Sequence, residues 1–81
     1  MNVRVQFYAQ LRDLAGISET DIEVTPDATV TQLLDQVYQR VPTVRQHDKT
    51  ILVAAGLEFV QRDYRLKPGE TIAIMPPVQG G

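Results

Sequence analysis

Near the start of the chain, hydrophobic and polar residues alternate in two short stretches. Val3, Val5 and Phe7 are separated by single polar residues, and Ile22 and Val24 alternate with acidic residues. An alternation of period two is typical of a β-strand with one buried face. The pattern predicts two antiparallel strands, joined by a connection that contains at most one helical turn and ends in a glycine.

A helical pattern follows between Thr29 and Val41. Thr29 and Gln32 have the spacing of a capping box, in which the two residues satisfy each other's free N–H groups at a helix start. Pro42 ends the helix, because the residue before a proline disfavours the α conformation. We predict a helix with one apolar face and with Tyr38 in the core. The apolar positions are Val30, Leu33, Leu34, Val37, Tyr38 and Val41.

The second half of the chain contains two apolar runs of strand length. Ile51–Ala55 ends at Gly56 and is predicted to be a buried central strand, and Thr71–Met75 is predicted to be the last strand. Leu57–Val60 fits a short edge strand, whereas Thr43–Thr50 is polar and is predicted to be a loop. This order predicts an α+β fold, a mixed sheet of four to five strands packed on one main helix. It resembles the ubiquitin-like β-grasp, in which the first and last strands are parallel neighbours at the sheet centre.

The last six residues, Pro76–Gly81, form a segment of unusual composition. The two prolines exclude a helix, and the two final glycines have no side chains. Fully extended, six residues reach roughly 20 Å. We expect an extended, flexible C-terminal tail that leaves from a central strand. Gly80 and Gly81 are narrow enough to enter a partner's active site and deliver the Gly81 carboxylate, although an idle, frayed chain end is the alternative at this point.

The composition limits the other kinds of chemistry. The 81 residues, 43% of them hydrophobic, are enough for a single domain that spans residues 1–81. The chain has no cysteine and one histidine, His47, so we expect no disulfide, no metal site and no iron–sulfur cluster. Its net charge is −2 and its basic residues are scattered, which gives nucleic acid no basic surface to bind. Without a membrane-spanning run or a signal-peptide pattern, we expect a cytoplasmic protein that binds no membrane.

No arrangement of residues predicts catalysis by the chain itself. Ser18 is the single serine and fits a turn, and His47 lies in a polar stretch. The acidic residues belong to several predicted elements, so a solvated surface is favoured over a pair of general acid and base. These residues are Asp13, Asp21, Glu23, Asp27 and Asp35.

Three segments, Val5–Gly16, Leu66–Glu70 and Ile74–Gly81, resemble the small subunit of molybdopterin synthase, the MoaD family. The spacing of the three segments fits the whole length of 81 residues. The ending Pro-Pro-Val-x-Gly-Gly after a final strand is the most specific of the three. The family often has aromatic residues before the two prolines, where this chain has Ile74 and Met75.

The resemblance implies a sulfur carrier. In that family an E1-like adenylating enzyme, MoeB-like, activates the terminal carboxylate with ATP, and sulfur from a sulfur donor protein displaces AMP to leave a thiocarboxylate. The loaded tail enters the large subunit, MoaE-like, in a heterotetramer. Two transfers there convert cyclic pyranopterin monophosphate into the dithiolene of molybdopterin. The small subunit contributes sulfur, no acid–base residue and no cofactor of its own.

The same resemblance assigns roles to individual residues. Gly81 would carry first the adenylate and then the sulfur. Phe7, Phe59, Ile74 and Met75 are candidates for contact between the body of the domain and its partners. The tail that delivers Gly81 consists of Pro76, Pro77, Val78, Gln79 and Gly80.

Three alternatives stay open from the sequence. A sulfur carrier for another pathway, such as thiamine thiazole synthesis, has the same fold and the same terminal glycines. A ubiquitin-like modifier is also adenylated, but its glycine acylates a lysine instead of accepting sulfur. The third alternative is a β-grasp interaction module whose tail has no reaction to perform.

Overall fold

Five β-strands, two α-helices and one 3₁₀ helix make up residues 1–77, the part of the chain that the computed structural model describes. The strands are β1 (Asn2–Phe7), β2 (Glu19–Glu23), β3 (Leu52–Ala55), β4 (Glu58–Val60) and β5 (Thr71–Met75). The helices are α1 (Gln10–Ala15), α2 (Val30–Arg40) and the 3₁₀ helix Pro42–His47.

The strands form one sheet in the order β2-β1-β5-β3-β4. β1 and β5 are parallel, and the other neighbours are antiparallel. The predicted α+β architecture, with the first and last strands side by side, is therefore confirmed. β3 lies inside the sheet, between β5 and β4, as predicted for a buried strand, while β5 occupies the centre. Any interior strand has neighbours on both sides, so an apolar run does not distinguish the centre from the adjacent position.

The core lies between α2 and one face of the sheet. Val3, Val5 and Phe7 of β1 point into it, while Arg4 and Gln6 point to the opposite face. Burial of an aliphatic side chain of this size contributes roughly 1.5–3 kcal/mol to folding, before the entropy cost of ordering the chain. The largest fully buried side chains are Leu11, Ile22, Leu33, Leu34, Ile72, Ile74, Val3, Val5, Val30, Val37 and Val44.

The start of α2 confirms the predicted capping box. The Thr29 hydroxyl accepts a hydrogen bond from the Gln32 amide at 3.4 Å, and the Gln32 side-chain oxygen accepts one from the Thr29 amide at 2.8 Å. The amide of Val30 donates to the carbonyl of Tyr64 at 3.0 Å. Since the free N–H groups at a helix start need acceptors, this last bond also fixes the connection between β4 and β5 against the helix.

Two connections are more ordered than predicted. The predicted loop Thr43–Thr50 begins within the 3₁₀ helix, where Pro42 occupies the first turn and Val44 is fully buried. Proline suits the first turn of a helix, but one apolar residue among polar neighbours produces no periodicity to recognise. The connection after β1 is the six-residue helix α1, closed by Gly16 with a φ of 75°.

A polar cluster joins α2 to the second half of the chain. The hydroxyl of Tyr38, a core residue as predicted, donates to Asp48 Oδ1 at 2.6 Å. Arg62 Nη1 donates to the same oxygen at 3.0 Å, and Arg62 Nη2 donates to the Asp48 carbonyl. Burial, together with the hydrogen bond to Asp48, raises the pKa of Tyr38. The same hydrogen bond lowers the pKa of Asp48.

Candidate functional site

The C-terminal segment leaves the domain from the middle of one end of the sheet. β5 lies between β1 and β3, so the chain departs with strands on both sides. Met75 and Pro76 are partly buried, and Pro77 is exposed. The remaining residues of the predicted tail lie outside the described residues, and their predicted roles stay predictions. They are Val78, Gln79, Gly80 and Gly81.

The start of β5 is held firmly. The carbonyl of Glu70 accepts a hydrogen bond from the Arg4 amide at 3.1 Å, and its carboxylate accepts one from the Tyr64 hydroxyl at 2.6 Å and one from the Lys67 amide at 3.0 Å. The hydrogen bond to Glu70 raises the pKa of Tyr64. Gly69, with a φ of 73°, makes the preceding turn, in a conformation that glycine adopts without strain. The strand is thus anchored at one end and releases the chain at the other.

Two of the predicted contact residues are in the core, so that prediction is wrong for both. Phe7 is 2% exposed and Ile74 is 0% exposed. They are partners in the parallel pairing of β1 and β5 and point to the helix side of the sheet. The alternation along β1 places Phe7 on the same face as Val3 and Val5, and this pattern was already visible in the sequence.

The other two predicted contact residues lie on the outer face of the sheet, opposite α2. Phe59 is 67% exposed, and Met75 is partly buried at the end of β5. Neighbouring pairs across the strands bring Phe59 beside Ala54, Ala54 beside Ala73, and Met75 beside Leu52. These five residues form one continuous stretch of the outer face, in which Ala54 and Ala73 are themselves buried, and we call it the outer patch.

Tyr8, which the sequence did not single out, extends the outer patch to β1. Its amide donates to the carbonyl of Ile74 at 3.1 Å, which places it beside the end of β5. Its hydroxyl donates to Gln6 Oε1 at 2.9 Å, so the ring lies on the outer face, and the residue is 46% exposed. The sequence signal for this position is the alternation of side chains along a strand. Tyr8 is two residues from Gln6, which points to the outer face, and one residue from Phe7, which points to the core.

Charged side chains border the outer patch on its β1–β2 side. Arg4 Nε lies 3.1 Å from Asp21 Oδ1, and Arg4 Nη1 lies 3.9 Å from Glu19 Oε1. The hydrogen bond to Asp21 raises the pKa of Arg4. Ion pairs between side chains as exposed as these contribute little to the stability of the fold. Their effect is to set an apolar surface beside a polar rim, which is the usual anatomy of a protein–protein interface.

A second exposed apolar residue lies at the opposite end of the molecule. Leu57 is fully exposed in the two-residue turn between β3 and β4, where Gly56 has a φ of 62°. Because β3 is antiparallel to β5, this turn lies away from the end where Met75 meets Leu52. Leu57 is therefore remote from Met75 and the departing chain, although Phe59 of the outer patch is two residues from it.

The described residues carry no constellation for acid–base or metal chemistry. The five acidic residues singled out in the sequence are all exposed. Within residues 1–77 no three His, Asp or Glu side chains are grouped so that they could hold a metal ion. Over the same range, every helix is too short or too polar to cross a membrane. What residues 1–77 offer is a surface for contact beside a departing chain.

Comparison with known sequences identifies relatives over the whole chain. The model of the ThiS family matches residues 5–81. The molybdopterin synthase sulfur carrier subunit of Chlamydomonas reinhardtii is 34% identical over 83 aligned positions, which cover 100% of both chains.

Solved structures show the same fold. A putative molybdopterin converting factor subunit 1 of Pyrococcus furiosus is 28% identical, with a TM-score of 0.86 over 96% of this chain and 99% of that one. The small archaeal modifier protein 1 of Haloferax volcanii is 23% identical, with a TM-score of 0.84 over 95% and 98%. In the complex of subunits 1 and 2 of the molybdopterin-converting factor of Helicobacter pylori, the matching chain is 21% identical, with a TM-score of 0.73 and full coverage of both chains. The last two similarities concern the fold alone.

Proposed function

The chain belongs to the ThiS family, and from this premise we propose that it is the sulfur carrier subunit of a molybdopterin synthase. The observation that carries the proposal is the similarity to a curated sulfur carrier subunit over the full length of both chains. The match to the family model runs through Gly81, the residue that would carry the sulfur.

The chemistry takes place at the Gly81 carboxylate. A carboxylate is a poor electrophile, so an E1-like adenylating enzyme first transfers the AMP moiety of ATP to it and releases pyrophosphate, which gives an acyl-phosphate anhydride with a good leaving group. A persulfide of the sulfur donor protein then displaces AMP to form an acyl disulfide, and a second thiol cleaves its S–S bond, forming a disulfide with the donor and leaving the thiocarboxylate. The thiocarboxylate is a soft anionic nucleophile at neutral pH. Two such transfers to cyclic pyranopterin monophosphate in the large subunit produce the dithiolene of molybdopterin.

The geometry of the domain supports delivery of a terminal group. The chain leaves from the central strand, whose start is anchored through Glu70. Six residues from Pro76 to Gly81 span roughly 20 Å when extended, and a glycine pair at the tip fits a narrow channel. The domain therefore acts as a rigid holder for a reagent at the end of a thin arm.

The outer patch and Tyr8 are the proposed docking surface for the large subunit. A partner that takes up the tail must also approach the end of β5, where Met75 and Tyr8 lie. Phe59 supplies the largest exposed apolar side chain on this face, and buried aromatic residues commonly dominate binding energy at interfaces. The Helicobacter pylori complex provides a precedent of this fold bound to a second subunit. We propose the same pairing here, assembled as a heterotetramer.

Deletion of Gly81 tests the proposal directly. The shortened chain should fold normally but should form no dithiolene from cyclic pyranopterin monophosphate with its large subunit, adenylating enzyme, ATP and sulfur donor. Circular dichroism and thermal melting provide the folding control. Dithiolene formation at the parental rate by the shortened chain would contradict the proposal.

Intact-mass analysis of the protein purified from its own cell separates the carrier from the ubiquitin-like modifier. Replacement of one carboxylate oxygen by sulfur is the expected result. An isopeptide-linked adduct on a lysine of another protein would favour the modifier. Sulfur transfer to a thiazole synthase, with none to the pterin, would favour the thiamine pathway.

A further inference from the structure

Ala9 has a backbone conformation that its side chain does not explain. Its φ is 53° and its ψ is −134°, a region that glycine adopts readily and other residues rarely. Within residues 1–77, the other non-glycine residue with a positive φ is Asp27, at 66°. A short polar side chain such as that of aspartate tolerates the left-handed region better than most. Ala9 is therefore the unexplained strained position of the described chain.

No contact within the described residues offsets the strain at Ala9. The residue is exposed, and it belongs neither to the core nor to the side chains packed against the core. It precedes α1, but its side chain caps nothing. The turn itself is made by the backbone, since the Leu11 amide donates to the Tyr8 carbonyl at 3.1 Å and the Arg12 amide to the Ala9 carbonyl at 3.0 Å. A glycine would make the same turn without strain.

The position of Ala9 suggests what its methyl group contacts. It follows Tyr8, whose amide is bound to the carbonyl of Ile74 beside the end of β5. Ala9 therefore lies at the end of the sheet from which the chain departs, next to the side chain that extends the outer patch. Strained, exposed residues of this kind concentrate at functional surfaces.

We propose that the Ala9 methyl group contacts the large subunit, so that the complex gains from a side chain whose backbone strain the free chain carries without compensation. The inference rests on the proposed function, because it takes the large subunit as the partner that receives the tail. It adds Ala9 to the docking surface, a residue recognised by its strained backbone conformation. Selection for stability alone would favour glycine here, whereas selection for binding favours a methyl group.

The test compares the variants Ala9→Gly and Asp27→Gly. Their affinities for the large subunit are measured by isothermal titration calorimetry, and their thermal midpoints are measured without it. Asp27 follows β2, whose last residue pairs with Asn2 at the start of β1, so it lies at the end of the sheet opposite the departing chain. Ala9→Gly should raise the thermal midpoint by about 4–8 °C, the shift that relief of modest strain produces in a domain of this size. It should also weaken binding about fourfold, the factor expected for one buried methyl group.

The matched variants make the result specific. Asp27→Gly should leave the affinity unchanged, with a smaller rise of the thermal midpoint. Ala9→Ser keeps the β-carbon, so its affinity should stay within about twofold of the parental chain. If Ala9 had only a structural role, Ala9→Gly would change the thermal midpoint, but all three variants would bind the large subunit with the parental affinity.

Each contrary outcome has a separate meaning. Equal affinity of the parental chain and Ala9→Gly would overturn the role of the methyl group while leaving the proposed function intact. A lower midpoint for Ala9→Gly would overturn the premise that the residue is strained. Failure of the parental chain to bind the large subunit at all would overturn both the inference and the proposed function.

Discussion

At the scale of single residues, Asp48 links two distant segments of the fold through hydrogen bonds. Its side chain accepts hydrogen bonds from Tyr38 of α2 and from Arg62 of the connection before β5. The hydrogen bond from Tyr38, followed by the interaction with Arg62, lowers the pKa of Asp48 below its ordinary value of 3.8. The folded chain therefore holds the ionised form more firmly than the unfolded chain does. Asp48 contributes stability above pH 3.8, and this contribution is lost as the pH falls through the lower pKa of the folded state.

The corresponding prediction concerns Asp48→Asn. At pH 7 the variant should have a lower thermal midpoint than the parental chain, because an ionised acceptor is replaced by a neutral one. On acidification from pH 5 to pH 3 the difference should narrow once the pH falls below 3.8, because the unfolded parental chain then takes up a proton at Asp48 that the folded chain resists. Thermal melts at each pH measure this, with Asp35→Asn as the control for loss of one negative charge. A difference that stays constant over this range would contradict the assignment.

At the scale of elements, α2 is the part of the fold that two independent signals predicted. Its apolar stripe set the buried face, and the pair Thr29 and Gln32 set its first residue. Both signals are local, so the sequence contains them in full. The 3₁₀ helix lacked such a signal, since its order depends on Val44 entering a core built by distant segments.

The capping box permits a prediction for α2. Thr29→Ala removes the acceptor of the Gln32 amide, so stability should fall by about 1 kcal/mol. The thermal midpoint should fall by roughly 4–8 °C. Gln39→Ala, on the exposed face of the same helix, is the matched control and should not lower the midpoint, because alanine is the better helix former. Equal midpoints for Thr29→Ala and the parental chain would show that the cap contributes nothing.

At the scale of the whole molecule, the two ends of the sheet differ in what they expose. One end carries the departing chain, Tyr8 and Met75, the other carries the turn with Leu57, and the outer patch extends along one face between them. The family motifs predicted the first end as the functional one. They did not predict which side chains form its surface, because that depends on the face to which each strand residue points. The resemblance made Phe7 and Ile74 candidates for contact although their strands turn them inward, and it did not single out Tyr8, which points outward.

The difference between the two ends of the sheet predicts different effects for substitutions of two exposed apolar residues, Phe59 and Leu57. Phe59→Ser should weaken binding of the large subunit at least about tenfold, as expected for an aromatic residue that becomes buried in an interface. Leu57→Ser removes a fully exposed apolar side chain two positions away, in the turn and not on the sheet face, and should leave the affinity unchanged. Surface plasmon resonance with immobilised large subunit measures both variants. Equal losses would place the interface at the turn as well, and no loss for Phe59→Ser would remove the outer patch from it.

The central place of β5 also has a mechanical consequence. A pull on the C-terminal segment acts along the axis of a strand that is hydrogen-bonded to β1 on one side and to β3 on the other. Such a load shears both ladders together, whereas a load across the strands would peel their bonds apart one at a time. The tail can therefore be withdrawn from a deep pocket by movement of the domain without β5 leaving the sheet.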